Sequence, residues 1–110
     1  MAYTPATLGM VSQTGGPLGM TTWVYDTVDS NATTYAINYI SDALERGMQK
    51  GDIVYIRIWT TAVPTTSAEM RTAAGTANIL TATYIHLVLG ISTAGAADLT
   101  NGLAITITNS

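Results

Sequence analysis

His86 is the one side chain of this chain whose ordinary pKa lies near neutrality. General acid-base work through it would need a nucleophile or a carboxylate held beside it. It stands instead inside the apolar run of residues 79–91 with no acidic neighbour in sequence, which reads as a structural or rim histidine. Asp26 and Asp29 are close enough to suggest a carboxylate pair. They also bracket a strand-to-helix turn, where acids cap a helix N-terminus and suit its positive end, and capping is the stronger reading. Gly15, Gly16 and Gly19 make a glycine-containing stretch with no phosphate-loop lysine after it, so they read as turn residues. With one histidine, no cysteine and widely separated acids, no zinc or calcium spacing exists; neither a metal, a cofactor nor an enzymatic activity is expected.

Contact chemistry is better represented. Tyr55, Arg57 and Trp59 are residue types enriched at interface hot spots, and alternation along a strand projects them from one face at steps of ~7 Å. A second candidate surface lies in residues 1–20, where Tyr3, Leu8, Met10, Val11, Leu18 and Met20 are too apolar for a solvated tail. No lasting period favours a regular strand or helix there. The segment reads as an extended arm, either a floppy terminus or one docked on a neighbour or on the chain's own sheet.

The elements that must position these residues are legible from residue 21 onward. Thr21–Tyr25 is dense in β-branched and aromatic residues and reads as a strand. Asp29 or Ser30 then caps a helix, helped by Asn31, in which Ala32, Tyr35, Ala36, Tyr39, Ile40, Ala43 and Leu44 recur as one buried stripe. Gly47 ends it, with Arg46 near its negative end. Gly51-Asp52 turns the chain into Ile53–Trp59, whose alternation assigns Val54, Ile56 and Ile58 to the core.

Residues 60–78 read as a projecting loop with a helical turn around Ser67–Ala73. In residues 79–91, Thr83, Ile85, Leu87, Leu89 and Ile91 face opposite Tyr84, His86 and Val88, so this strand is expected to be central or covered on both faces. Asn101-Gly102 is the favoured pair for a two-residue type I′ turn, followed by a terminal strand over 103–108.

The 110 residues suit a single domain that buries roughly two thirds of the surface of the unfolded chain. The expected class is α+β: a mainly antiparallel sheet with one amphipathic helix over residues 21–110, preceded by the arm of residues 1–20. Charged residues are 10% of the chain, against ~25% in soluble domains generally, so the surface is neutral and poorly protected against association. Seven acids, four bases and no basic cluster argue against nucleic-acid binding. No apolar run approaches the ~18 residues of a membrane span, and no signal-peptide pattern opens the chain, which is expected to be made in a cytoplasm and to meet no membrane.

Trp23–Asp29 (WVYDTVD), Tyr39–Ala43 (YISDA) and Lys50–Ile56 (KGDIVYI) together resemble a small module common in virion proteins of tailed bacteriophages. That module runs from an aromatic strand ending Tyr-x-Thr-x-Asp, through a helix with a Tyr-Phe-like pair, to a Gly-Asp followed by β-branched residues. The match covers about a third of the chain, with Tyr39-Ile40 at the Tyr-Phe position and no counterpart for residues 60–78. The resemblance implies a non-enzymatic structural protein, a capsid decoration (cement) protein on the virion surface, oligomeric and bound to the major capsid protein. The alternative is a tail or fibre module that meets a host receptor or glycan.

Overall fold

A computed structural model describes residues 3–15, 18–36, 39–73 and 78–105. Among them, strands run in chain order as β1 (Leu8–Gln13), β2 (Thr21–Thr27), β3 (Ile53–Trp59), β4 (Leu80–Ile91), β5 (Ala97–Leu99) and β6 (Leu103–Ile105). Two one-turn helices, α1 (Asn31–Thr34) and α2 (Ala43–Arg46), lie between β2 and β3. The strands form one mixed sheet in the order β1-β2-β3-β4-β5, with β6 also on β4. Only β2 and β3 are parallel, because the helical segment carries the chain back across the sheet; the other pairings are antiparallel. The class is α+β.

Alternation does what it predicts in β2 and β3. Trp23, Tyr25, Val54, Ile56 and Ile58 are buried on one face, where Ile40, Ala43 and Met48 of the helical segment cover them. The single long helix expected over this segment is replaced by two separate turns. Ser30 caps α1 by accepting the amide of Thr33, but Asn31–Thr34 is rich in poor helix formers. Tertiary bonds then take over the backbone: the Ala97 amide donates to the Ile40 carbonyl, and the Leu44 amide to the Gly95 carbonyl. Tyr35, Tyr39, Ile40 and Ala43 still face the core, whereas Ala32, Ala36 and Leu44 of the expected stripe are exposed. Gly47, at φ 88°, ends α2 in the left-handed conformation as expected.

Residues 1–20 take one of the expected alternatives, docking on the chain's own sheet, but as a regular strand that no period in the sequence marked. A 3-10 turn over Pro5–Thr7 leads into β1, which pairs with β2 as the edge of the sheet; this docking buries Leu8 and leaves Met10, Val11, Leu18 and Met20 exposed. The positive φ of Gly15 and the close approach of Gly19 to the Thr14 carbonyl serve the turn into β2; Gly16 lies outside the described residues. Arg46 secures the start of the chain, donating to the carbonyls of Leu8 and Pro5 and to Asp42. The Tyr3 hydroxyl donates to the same Asp42 carboxylate at 2.6 Å.

At the far edge, Asn101-Gly102 is not a hairpin turn. The turn lies at Ser92–Ala96, where the Ser92 amide donates to the Ala96 carbonyl. β5 and β6 then follow one another along the same edge of β4, interrupted at Thr100–Gly102. β5 was not legible in the sequence, and residues 106–108 of the expected terminal strand lie outside the described residues. Residues 60–73 form the expected connection, with a 3-10 turn at Glu69–Arg71.

Candidate functional site: the open face of the sheet

β4 is central, between β3 and the β5/β6 line, the first of the two expected alternatives, and one of its faces is without cover from any described helix. Tyr84, His86 and Val88 point to the helical side. On the other side the register aligns Val24, Tyr55, Ile85 and Leu103 in one row across β2, β3, β4 and β6. A second row joins Thr22, Ile53 and Leu87, and a third Asp26, Arg57, Thr83 and Ile105. Leu87 is 40% exposed, Leu103 70% and Ile105 45%, and no described helix lies over this face. A bulge between Val88 and Gly90 places Leu89 at the irregularity and switches the alternation, so Ile91 packs on the core and leaves the open face.

The one cation of the three rows is internally neutralised. The Arg57 guanidinium grips Asp26 in a two-bond fork, Nε to Oδ1 at 2.6 Å and a terminal nitrogen to Oδ2 at 2.9 Å. The Trp59 indole N–H donates to the same Oδ1 at 3.1 Å, and the guanidinium lies 5.6 Å from the ring centroid. Asp26 is therefore the anchor of this cluster, a correction to its reading as a helix cap. Asp29, the other half of the suggested pair, accepts the Tyr39 hydroxyl; burial first, and then that bond, raise the tyrosine's pKa.

The residues singled out in the sequence fall into three groups. Leu8 and Trp59 are buried within the chain, Leu8 as part of the core. Tyr3, Tyr55 and Arg57 are half-buried, Tyr3 in a ring cluster with Tyr25 and Tyr39 and Arg57 in its ion pair. Met10, Val11, Leu18 and Met20 are exposed along β1 and its turn, at the edge of the sheet. Ile85, Leu87, Leu103 and Ile105 were missed as surface residues. Their alternation was visible; nothing local said which face the helical segment would cover.

His86 is fully buried on the helical side. Its Nδ1 lies 2.8 Å from the Thr100 carbonyl, which only accepts, so Nδ1 carries the proton. Burial pushes its pKa below the ordinary histidine value, outweighing the opposing pull of that carbonyl. Its Nε2 has no partner, and the Tyr35 and Tyr84 rings stand beside it. With no carboxylate or nucleophile at hand, this is a structural imidazole. Asp52 is another buried polar group, missed as such: its carboxylate accepts the amides of Thr21 and Gln49 and the Trp23 indole N–H.

A groove of about 400 Å³ opens beyond the C-terminal ends of β2 and β3, lined by Thr4, Asp26, Thr27, Asp29, Thr61 and Val63 among others. Both of its carboxylates are engaged in the bonds above. Among the described residues no three His, Asp or Glu side chains gather as metal ligands would, and no helix is long and apolar enough to cross a membrane. Comparison with protein-family models, curated protein sequences and solved structures finds no match to this chain.

Proposed function

We propose that this chain is a structural protein that works by adhesion, in the setting its resemblance implies: a decoration protein on the outer surface of a tailed-phage capsid, with no enzymatic activity. The observation that supports it is the open sheet face, a broad apolar surface whose single cation is already neutralised by Asp26. A domain of this size that leaves such a surface uncovered is suited to joining other surfaces. The exposed edge formed by Met10, Val11, Leu18 and Met20 is the contact offered to the major capsid protein, and many weak attachments over a lattice add up to firm binding.

Quantitative mass spectrometry of gradient-purified particles tests this. A copy number comparable to that of the major capsid protein supports lattice covering. Absence from the particles sinks the virion reading. A far lower copy number moves the chain to a tail or fibre module that meets a host receptor or glycan.

A further inference from the structure

We propose that Asn101-Gly102 is a site of spontaneous covalent modification, at which Asn101 deamidates through a cyclic imide and the isoaspartate so formed releases β6 from β4. Of the chain's asparagines, only Asn101 is followed by glycine; the others precede Ala32, Tyr39, Ile79 and Ser110. A following residue without a Cβ leaves its amide nitrogen free to approach the asparagine side chain. Tertiary structure adds access. Asn101 is exposed, and its one described hydrogen bond is made by the main-chain carbonyl, which accepts from the Asn31 side chain at 2.9 Å. Among the described residues the Gly102 amide takes part in no backbone bond, because the β5/β6 line is interrupted there.

Hydroxide takes the proton of the Gly102 nitrogen, which attacks Cγ of Asn101. The N–Cγ bond forms, the Cγ–Nδ2 bond breaks, and ammonia leaves with a proton returned by water. A second water opens the imide, at Cγ to give aspartate or at the main-chain carbonyl to give isoaspartate, whose main chain runs through Cγ and is longer by a carbon. That longer chain has no room here. Thr100 is pinned: its amide donates to the Leu87 carbonyl, its hydroxyl accepts from the Leu87 amide, and its carbonyl accepts from His86 Nδ1. Leu103 pairs with Ile85. From Thr100 to Leu103 the chain already advances three positions opposite a two-position step on β4, from Leu87 to Ile85. At Gly102 it lies so close to the His86 ring that an added Cβ would stand 2.6 Å from Cε1. An extra main-chain carbon therefore displaces Leu103–Ile105 from Thr83–Ile85 and leaves that edge of β4 with unpaired backbone groups, to which another strand can add.

This inference does not rest on the proposed function, and absence from virions would leave it intact. The test is ageing of the purified full-length protein at mildly alkaline pH, followed by peptide mapping with electron-transfer fragmentation, which separates isoaspartate from aspartate. Isoaspartate is expected at position 101 at least ~10-fold ahead of every other asparagine in the same molecule, a comparison that requires no variant to fold. It should be lost in Asn101→Gln, whose longer side chain closes a larger, slower-forming ring. Amide exchange of the aged fraction should lose protection at Thr83–Ile85 and Leu103–Ile105 while β2 and β3 stay protected. An Asn101 that stays intact in the folded protein while it deamidates in urea overturns the inference. So does deamidation no faster there than at Asn109-Ser110. Isoaspartate formed with β6 still protected overturns the release.

Discussion

Gly102 lies flat against the imidazole of His86: a Cβ at position 102 would stand 2.6 Å from Cε1 and 3.0 Å from both ring nitrogens. Its φ of +96° is one that side-chain-bearing residues rarely adopt. The two constraints coincide because the interruption between β5 and β6 must pass directly over a buried ring. Gly102→Ala should therefore cost about 2–4 kcal/mol, combining backbone strain with overpacking. Urea unfolding followed by tryptophan fluorescence measures it; a loss below ~1 kcal/mol would mean that the ring yields freely.

His86 makes stability depend on acid. Its folded pKa lies below the ordinary value of 6.5, so the unfolded chain binds the proton more readily. Its contribution is fully present above about pH 6.5 and is lost as the pH falls through the folded value. Stability measured from pH 8 to pH 5 should decline, and His86→Phe should flatten that decline. An unchanged slope in the variant would assign the acid sensitivity to other groups.

Asp52 joins the start of β2 to the turn before β3. Removing its carboxylate orphans three buried or half-buried N–H groups at once. Asp52→Ala should cost about 3–5 kcal/mol, and Asp52→Asn less, since the amide keeps one accepting oxygen. A red shift in tryptophan emission should accompany the alanine variant if Trp23 loses its packing with its partner.

Arg46 binds the first residues of the chain to α2 through Leu8, Pro5 and Asp42. Arg46→Ala should leave global stability lower by about 1–2 kcal/mol. It should speed amide exchange in β1 by ~10-fold or more while β3 and β4 stay protected, because the edge strand opens alone. Uniform acceleration throughout the sheet would mean that β1 does not open as a separate unit. Deleting residues 2–20 removes a sheet strand and the buried Leu8, so it is a poorer probe of surface contact than substitutions at Met10 or Val11.

Tyr3 and Tyr39 act at the opposite end of the pH scale. Burial first, and then bonds to Asp42 and Asp29, raise both phenols above their ordinary value of 10.0. Their contribution is complete below pH 10 and is lost as the pH rises, since only the unfolded chain ionises readily there. Stability should fall steeply above pH 10, less so in Tyr3→Phe. Equal slopes would remove Tyr3 from the account.

What the amino-acid sequence determined by itself is the set of features read over a few neighbouring residues. The alternation that makes β3 and places Val54, Ile56 and Ile58 in the core, a helix cap at Asp29 or Ser30 and the Gly47 stop each depend on local geometry alone, and the structure decides the cap for Ser30. Tertiary structure decided the rest through bonds between distant residues. The Ala97–Ile40 and Gly95–Leu44 backbone bonds divide the expected helix, and the pairing with β2 turns residues 8–13 into an edge strand. His86 converts an apparent Asn-Gly turn into an interrupted strand. The open face is likewise a tertiary outcome. Alternation sorts β4 into two sides, but only the placement of the helical segment against Trp23, Tyr25 and Val54 leaves Ile85, Leu87 and Leu103 on the side without cover.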